Sequence, residues 1–374
     1  MKYYIIAGEA SGDLHASNLM KALRERDPQA DFRCWGGDLM EAAGGDIVKH
    51  YKELAFMGFW EVFTHLNTIT RNLRICQVDL LLYEPDVVIL VDYPGFNLRM
   101  ARFAKENGYK VVYYISPQIW AWKKGRIKKI KKYVDEMMVI LPFEKDFYAK
   151  NGMEVHYVGH PLLDAVDKDL HQREDVLNFR EVNALDEREI IALLPGSRKQ
   201  EVTAILPQML KMVPLFPQFQ FVVSTVDWQP KELYDKYLKK CPIKTVSGSA
   251  YPLLANAKAA IVASGTATLE TAMIGTPQVV CYAGSEISYL IAKQLVHGIR
   301  FISLVNLIMD EKVVTELIQH EYDTPHLREE LCLITEDEAN IATMRERYKT
   351  LHTLLGDGSA SAKAADVVIQ TLNN

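Results

Sequence analysis

Short apolar runs alternate with amphipathic helical segments along most of this 374-residue chain, and the alternation restricts the fold more than any other feature. Each run is almost uniformly apolar, which is typical of parallel strands buried on both faces. The runs in the first half are Tyr3–Ala7, Val87–Asp92, Val111–Ile115 and Met137–Leu141. Between runs, apolar residues recur at helical spacing, as from Ala16 to Leu23, and Pro28 then stops that helix. The pattern predicts β-α-β units and hence an α/β fold with a doubly wound parallel sheet.

The same alternation starts again in the second half, where the apolar runs are Ile190–Leu194, Phe219–Ser224, Ala259–Ala263 and Gln278–Tyr282. A chain of this length exceeds what one hydrophobic core usually supports. We therefore predict two Rossmann-like domains, over residues 1–165 and 188–336, that face each other across a cleft. The charge-dense stretch 166–187 is predicted as a linker, and 337–374 as C-terminal helices whose packing partner stays open.

Composition excludes some functions. The net charge of −5 does not suggest a nucleic-acid-binding protein. Five dispersed cysteines without a C-x-x-C pair predict reduced thiols, and neither a disulfide framework nor a zinc site. No run of 18 apolar residues and no export signal is visible, so we expect a cytoplasmic protein, with peripheral membrane contact still open.

Four polar loops follow predicted strands, and ligands of doubly wound sheets bind beyond the carboxyl ends of strands. These loops read GEASGD (8–13), DYPGFN (92–97), LPGSRKQE (194–201) and ASGTATLE (263–270). In the third loop, Gly196 permits close backbone approach, Ser197 and the next amides can donate to phosphate, and Arg198 suits a diphosphate. A tight turn with a surface arginine is an equal alternative for this loop taken alone. Pro207 predicts that helix begins only near it, which leaves 196–203 as an extended loop.

The fourth loop combines small residues and hydroxyls at the start of a helix, which is a ready anion site. These residues are Ser264, Gly265, Thr266 and Thr268. Glu270 either interacts with the helix dipole or accepts the hydroxyls of a ribose. Together the two loops predict a nucleotide diphosphate, and the absence of a Walker A sequence argues against NTP hydrolysis.

The first-half loops carry carboxylates instead: Glu9, Asp13 and Asp92 all follow predicted strands. A diphosphate would meet like charge there, so these groups better suit hydroxyls of a second substrate, which the loop around Ser11 would hold. A carboxylate at such a strand end can take a proton from an attacking hydroxyl. Asp13 has a competing interpretation as a helix N-cap, which is weaker for Asp92.

Two further stretches concern lipid. Residues 55–63 read AFMGFWEVF, in which Met57, Phe59 and Trp60 suit either a helical core, acyl chains or a membrane surface. Seven cations then follow in ten residues beside Trp120 and Trp122, and they are Lys123, Lys124, Arg126, Lys128, Lys129, Lys131 and Lys132. They form a solvated helix face or a site for anionic headgroups or a phosphorylated acceptor. No nucleic-acid-binding module accompanies them.

The sequence resembles the lipid-A-disaccharide synthase family over roughly residues 3–320. The likeness rests on GEASGD, GFWEV, DYPGFN, ISPQIWAW, LPFEKDFY, VGHPLLD, LLPGSRKQEV, ASGTATLE and SLVNLI, in that order. The resemblance implies a GT-B fold, a UDP-2,3-diacylglucosamine donor, a 2,3-diacylglucosamine 1-phosphate acceptor and an inverted β-1,6 linkage. It implies no metal or cofactor, and it matches the family's acidic residues to Glu9 and Asp92, its arginine to Arg198 and its donor-binding asparagine to Asn306. Family members lie on the inner face of the cytoplasmic membrane, and some are dimers.

These observations predict a single displacement in which Asp92, or secondly Glu9, deprotonates the acceptor hydroxyl while Arg198 stabilises the departing UDP. The D-x-D at 167–169 lies in the linker and is interpreted as fortuitous. A UDP-N-acetylglucosamine 2-epimerase is the same-fold alternative, since His15 and His160 lie near strand ends. A non-catalytic membrane or nucleotide-sugar-binding module is the other alternative.

Overall fold

The computed structural model describes residues 1–53, 66–120, 124–166, 170, 173–284 and 300–373. The chain divides into two compact units. Unit 1 comprises residues 1–164 and 355–374, and unit 2 comprises residues 165–354. Among the described residues, no helix is both long and apolar enough to cross a membrane.

Unit 1 is built on one parallel sheet. The described strands are β1 (Lys2–Ala7), β2 (Asp31–Gly36), β3 (Asp46–His50), β4 (Val87–Val91), β5 (Lys110–Tyr114), β6 (Glu136–Val139) and β7 (His156–Tyr157). Their order in the sheet is β3-β2-β1-β4-β5-β6-β7, and all described pairs are parallel. The predicted doubly wound sheet is confirmed.

Helices cover both faces of this sheet, as β-α-β crossovers require. Those described in unit 1 are α1 (Ala10–Arg26), α2 (Asp38–Ala42), α3 (Leu66–Tyr83), α4 (Pro94–Glu106), α5 (Ile127–Tyr133), α6 (Pro142–Lys150) and α7 (Leu162–Ala165). One core packs α1 against the sheet through Leu19 and Leu23. The opposite core contains side chains of α3 to α6, such as Cys76, Met100 and Ile130. The central strands β1, β4 and β5 therefore contribute to both cores, which is why their sequences are almost uniformly apolar.

Unit 2 repeats this plan. Its described strands are β8 (Ile190–Leu194), β9 (Gln220–Thr225), β10 (Lys244–Ser247), β11 (Ala257–Ala263), β12 (Gln278–Tyr282) and β13 (Thr315–Ile318). The sheet order is β10-β9-β8-β11-β12-β13, again with parallel pairs. The described helices are α8 (Glu174–Leu177), α9 (Phe179–Val182), α10 (Lys199–Met209), α11 (Lys231–Leu238), α12 (Tyr251–Ala255), α13 (Thr266–Ile274), α14 (Leu304–Met309), α15 (Thr324–Thr335) and α16 (Glu338–Leu355).

The C-terminal helices belong to different units. Helix α16 packs in unit 2, where the Tyr348 hydroxyl accepts from the Gln278 side chain at 3.3 Å. The last helix, α17 (Ala360–Asn373), belongs to unit 1. There the Asp164 carboxylate caps its first turn by accepting from the amides of Ala360 and Ser361 at 3.1 and 2.7 Å. This assigns the packing partners that the sequence leaves open.

Two local predictions need correction. The predicted linker is part of unit 2, because Leu170, Val176 and Phe179 are buried in its core. The predicted extended loop at 196–203 is also wrong, since α10 already begins at Lys199. Pro207 lies in the last turn of that helix. Proline has no N–H, so the hydrogen bond that is missing there is one of the last in the helix.

Candidate active site

The strand order of each sheet reverses at one position, which is where ligands of doubly wound sheets bind. In unit 1 the reversal lies between β1 and β4, and Ala7 pairs with Val91 at their carboxyl ends. The loops that begin at Gly8 and Asp92 therefore leave the sheet side by side. This places Glu9 and Asp92 together at the switch point of unit 1.

The turn after β4 has an unusual backbone. Asp92 and Tyr93 have φ values of 44° and 47°, and Ile115 at the end of neighbouring β5 has 66°. Left-handed backbone is unfavourable for residues with a Cβ, most of all for a β-branched one. Such strain persists only where surrounding contacts hold it, and it concentrates at functional sites. One of these contacts is the amide of Asp92, which donates to the Tyr114 carbonyl at 3.1 Å.

Glu9 is the N-cap residue of α1, yet its side chain makes no capping hydrogen bond. Its carboxylate is exposed, and so is Ser11 in the first turn of the helix. Burial, followed by the charge of Glu9, raises the pKa of Asp92 to about 6. A carboxylate with such a pKa can accept a proton near neutral pH and is a stronger base than an ordinary aspartate.

Asp13 does not join this pair. Its side chain is buried, and its carboxylate accepts from the amides of Gly37, Leu39 and Met40 at 2.7, 3.1 and 3.2 Å. These amides open α2, whose orphan N–H groups need an acceptor. The expectation that Asp13 faces a substrate is therefore wrong. Asp13 is not the N-cap residue of its own helix either, because Glu9 holds that position in α1. It caps a helix 25 residues away instead of its own.

In unit 2 the switch point lies between β8 and β11, where Leu194 pairs with Val262. The loop after β8 turns at Gly196, whose φ is 102°. Ser197 and Arg198 follow with exposed side chains. Their amides do not face outward as predicted, because both donate to the Glu201 carboxylate, at 3.0 and 3.2 Å. The guanidinium and the hydroxyl are thus the groups this loop offers to an anion.

Two residues after β9 donate side-chain hydrogen bonds to the same loop. The Trp228 indole N–H and the Gln229 amide both donate to the Ser197 carbonyl, at 3.2 and 3.1 Å. Trp228 is 62% exposed, which is unusual for so large an aromatic side chain. Sequence reasoning missed both residues, although a tryptophan in a strand-end loop was a detectable signal.

The loop after β11 leads into α13 through Gly265, which has no side chain to cap the helix. The first N–H groups of a helix have no intrahelical acceptor, so this end is open to an anion. Thr266 is exposed and Ser264 half-buried, as that role requires. Thr268 needs correction: it is fully buried and its hydroxyl donates to the Gly265 carbonyl at 2.8 Å. Its side chain shapes the loop and does not face a ligand.

Glu270 lies one turn further along α13 and is half-buried. Burial raises its pKa, while a hydrogen bond with the Tyr251 side chain on α12 opposes that shift. Tyr251, which sequence reasoning missed, thus orients the carboxylate predicted to bind a ribose.

Asn306 also needs correction. Its amide donates to the Val314 carbonyl and to the Glu316 carboxylate, at 2.8 and 2.9 Å. Its carbonyl oxygen accepts from the amides of Val313 and Val314, at 2.8 and 3.0 Å. The buried side chain has its hydrogen bonds inside unit 2, so it fixes the segment before β13 and does not contact a donor directly.

Only some of the predicted lipid-binding residues are among those that the structure describes. Met57, Phe59, Trp60 and Lys123 lie outside the described residues, as does the D-x-D at 167–169. Burial raises the pKa of Tyr113 well above its usual range, and the nearby Arg126 guanidinium opposes that shift. Arg126 thus lies near the turn of Asp92, whose carbonyl accepts from the Tyr113 hydroxyl at 2.5 Å. No group of three or more potential metal ligands occurs in the part of the chain that the structure describes.

Helix α3 carries an exposed apolar stripe that sequence reasoning did not single out. Val78 and Leu82 are 57% and 80% exposed, and Ile75 and Leu81 also face outward. Helical spacing over positions 75, 78 and 82 was the available signal. Helix α3 packs on α4, and α4 packs on α5, which carries the exposed Lys128, Lys129, Lys131 and Lys132.

Two parallel α/β units, each with its candidate ligand loops at the switch point of the sheet, define a two-domain protein of the GT-B class. Solved structures support this fold. The S. aureus MnaA–UDP complex matches with a TM-score of 0.69 at 13% identity, over 100% of this chain and 97% of that one. The Neisseria meningitidis UDP-GlcNAc 2-epimerase bound to UDP-GlcNAc gives 0.63 at 12% identity, over 100% of both chains. At such identities the likeness concerns the fold alone.

Sequence comparison is more specific. The profile of the lipid-A-disaccharide synthetase family matches residues 3–369. The lipid-A-disaccharide synthase of Trichlorobacter lovleyi is 39% identical over 372 residues, which covers 98% of this chain and 96% of the relative. That of Syntrophus aciditrophicus is 40% identical, over 96% and 95%. The chain belongs to the lipid-A-disaccharide synthetase family and is a glycosyltransferase. The family match also extends beyond residue 320, where the resemblance by motifs faded.

Proposed function

We propose that this protein transfers 2,3-diacylglucosamine from its UDP derivative to the 6-hydroxyl of 2,3-diacylglucosamine 1-phosphate. The products are the β-1,6-linked disaccharide 1-phosphate and UDP. Family membership over residues 3–369 carries this proposal. The chemistry of the two switch points agrees with it, since acids lie at one and cationic or amide groups at the other.

In unit 1, Asp92 acts as general base. The acceptor hydroxyl loses its proton to the Asp92 carboxylate while its oxygen forms a bond to the anomeric carbon of the donor. The bond from that carbon to the diphosphate oxygen breaks at the same time, so the configuration inverts. Glu9 keeps the pKa of Asp92 elevated and is the second candidate for the base. Arg126 supplies positive charge for the acceptor phosphate.

In unit 2, the Arg198 guanidinium and the Ser197 hydroxyl hold the diphosphate, together with the uncapped amino end of α13 at Gly265. A planar guanidinium pairs well with phosphate oxygens, and each such donor stabilises the leaving UDP as negative charge develops on it. Glu270, oriented by Tyr251, accepts the ribose hydroxyls. UDP thereby leaves with the electron pair of the broken bond without a metal ion.

The reaction is tested by incubating the purified protein with both acylated substrates and detecting a tetraacyl disaccharide by mass spectrometry. Asp92→Asn should abolish transfer and leave UDP affinity, measured by calorimetry, within about twofold. Conversion of UDP-N-acetylglucosamine to its 2-epimer without disaccharide formation would instead establish the epimerase alternative, which only the fold likeness supports. UDP binding with neither product would indicate a binding module.

The donor site has its own test. Arg198→Ala should weaken UDP binding by about tenfold to a hundredfold, because one charge-assisted contact contributes about 1.5–3 kcal/mol. Arg188→Ala is the matched control, since Arg188 lies in the same unit and pairs with Asp186 in an exposed ion pair. Equal UDP affinity in both variants would refute the role of Arg198.

We further propose that the protein binds the inner face of the cytoplasmic membrane through α3 and the lysines of α5. Exposed apolar side chains beside a cationic helix suit a bilayer surface with anionic lipids. Val78→Ser with Leu82→Ser should reduce sedimentation with anionic vesicles several-fold. The control replaces Leu177 and Val182, exposed apolar residues of unit 2, by serine. Equal losses in both pairs, or equal binding to neutral vesicles, would refute this surface.

A further inference from the structure

Asn97 lies in the first turns of α4, five residues after Asp92, and is fully buried. Its amide nitrogen is within hydrogen-bond distance of three backbone carbonyl oxygens. They belong to Ile6 at 3.3 Å, Val91 at 3.1 Å and Asp92 at 2.8 Å. Ile6 is near the end of β1, while the other two are at the end of β4. One side chain thus ties together the two strand ends from which Glu9 and Asp92 project.

The carbonyl of Asp92 receives a second donor, the Tyr113 hydroxyl at 2.5 Å. Asp92 and Tyr93 both have left-handed backbone, with φ values of 44° and 47°. Each such residue strains the backbone, so the turn needs contacts that exist only in this conformation. Asn97 and Tyr113 supply two of them, and both act on the peptide that aims the Asp92 side chain.

The amide at this position is not a neutral choice. The Asn97 side-chain oxygen is buried and has no hydrogen-bond partner among the described residues. A buried polar atom without a partner destabilises the folded state, and leucine would fill a similar volume without that cost. The feature that leucine could not reproduce is the donor directed at the three carbonyls.

We propose that Asn97 is a positioning residue, which fixes the separation of the Glu9 and Asp92 carboxylates and holds Asp92 in its strained turn. This inference rests on the proposed function, in which Asp92 is the base. Without Asn97 the turn relaxes, and the Asp92 carboxylate moves toward solvent and away from Glu9. The base then becomes both weaker and misplaced, while the substrates still bind.

The test compares Asn97→Leu with wild type by kcat, KM and the pH dependence of kcat/KM. We expect kcat to fall about tenfold to a hundredfold, as for other misplaced catalytic groups, with both KM values within about threefold. The acid limb of kcat/KM should also move to lower pH, which a loss of folded protein would not cause. The control is Asn107→Leu at the C-cap of the same helix, where the exposed Asn107 side chain donates to the Phe103 carbonyl.

Tyr113→Phe keeps the shape of the core and removes the second donor to the Asp92 carbonyl, so it is the deciding variant if Asn97→Leu does not fold. It should shift the acid limb in the same direction and lower kcat about threefold to tenfold. A folded Asn97→Leu variant with wild-type kcat and an unshifted acid limb overturns the inference. If Asn97→Leu does not fold, the same result in Tyr113→Phe overturns it. Asp92→Asn is measured in parallel. If it retains turnover, the proposed base is wrong, and that failure is distinct from a failure of the positioning role.

Discussion

The ring of Tyr93 lies directly over Gly8, so that a Cβ at residue 8 would come within 2.3 Å of Tyr93 Cδ1. Glycine at position 8 therefore lets the loops after β1 and β4 touch, which brings Glu9 beside Asp92. Tyr93 cannot easily move away, because its left-handed backbone is fixed by the turn.

Gly8→Ala should consequently destabilise the protein by about 1–3 kcal/mol, the usual cost of overpacking. In the background Tyr93→Gly, which suits the positive φ, the same change should cost less than half as much. Denaturant unfolding of the wild type, the two single variants and the double variant measures the coupling free energy between residues 8 and 93. Gly95→Ala is the control, since no described atom outside its own helix backbone and chain neighbours lies within 4 Å of the added Cβ. Equal costs of Gly8→Ala in both backgrounds would show that the Tyr93 ring does not set this contact.

The charge repulsion between Glu9 and Asp92 leads to a second prediction. Burial and the Glu9 carboxylate raise the pKa of Asp92 to about 6, so kcat/KM should rise through that pH as the base ionises. Glu9→Gln removes the repulsion and leaves the burial, so the acid limb should move to lower pH with transfer retained. Complete loss of transfer in this variant, with UDP binding unchanged, would instead make Glu9 the base.

The same shift has a consequence for stability. The native state binds a proton on Asp92 more tightly than the unfolded chain does, so ionisation of Asp92 opposes folding as pH rises from about 4 to 6. Asp92→Asn should therefore stabilise the protein by up to about 3 kcal/mol at pH 8, from the difference between 3.8 and about 6. The gain should vanish near pH 3.5. Unfolding free energies at both pH values check this, and an equal gain at both would contradict it.

The sequence predicts strands well where both faces are buried, as in β8 with its five apolar residues IIALL. It misses β2 and β3, because DFRCWG and DIVKH mix polar and apolar positions near the sheet edge. Arg33 on β2 shows the reason. Its guanidinium pairs with the Asp79 carboxylate at 2.6 Å, and that partner lies on a helix 46 residues away. A local sequence pattern cannot predict an ion pair between residues so far apart in the chain.

The residues of the candidate site also differ in how far the sequence could predict them. The positions of Glu9, Asp92 and Arg198 could be predicted because they lie in the loops after β1, β4 and β8, and a parallel sheet brings strand ends together. The side chains of Asp13 and Asn306 have the right chemistry for ligands, yet backbone amides of other segments already donate to them. The roles of Asn97 and Tyr113 were equally invisible, because they depend on the backbone conformation of residue 92. Residue types identify candidates, and tertiary hydrogen bonds decide which remain free.

His15 and His160 lead to the last prediction. Burial lowers the pKa of His15 to about 4, and burial together with His15 lowers that of His160 to about 3. Both rings are neutral in the native state, whereas both bind a proton near pH 6.5 in the unfolded chain. Stability is therefore complete above pH 6.5 and falls as pH drops toward 4. Between pH 7 and 5 we expect a loss of about 4 kcal/mol for the pair.

His160→Asn tests this effect, because an asparagine oxygen can replace the ring nitrogen that accepts from the Leu162 amide at 3.2 Å. The variant should lose about half of the wild-type dependence of unfolding free energy on pH. His326→Asn is the control. His326 is exposed and paired with Asp323 at 2.8 Å, which raises its pKa, so its contribution has the opposite sign: present at low pH and lost as pH rises. If His160→Asn keeps the full wild-type slope between pH 7 and 5, the neutral buried pair is not the source of the acid sensitivity.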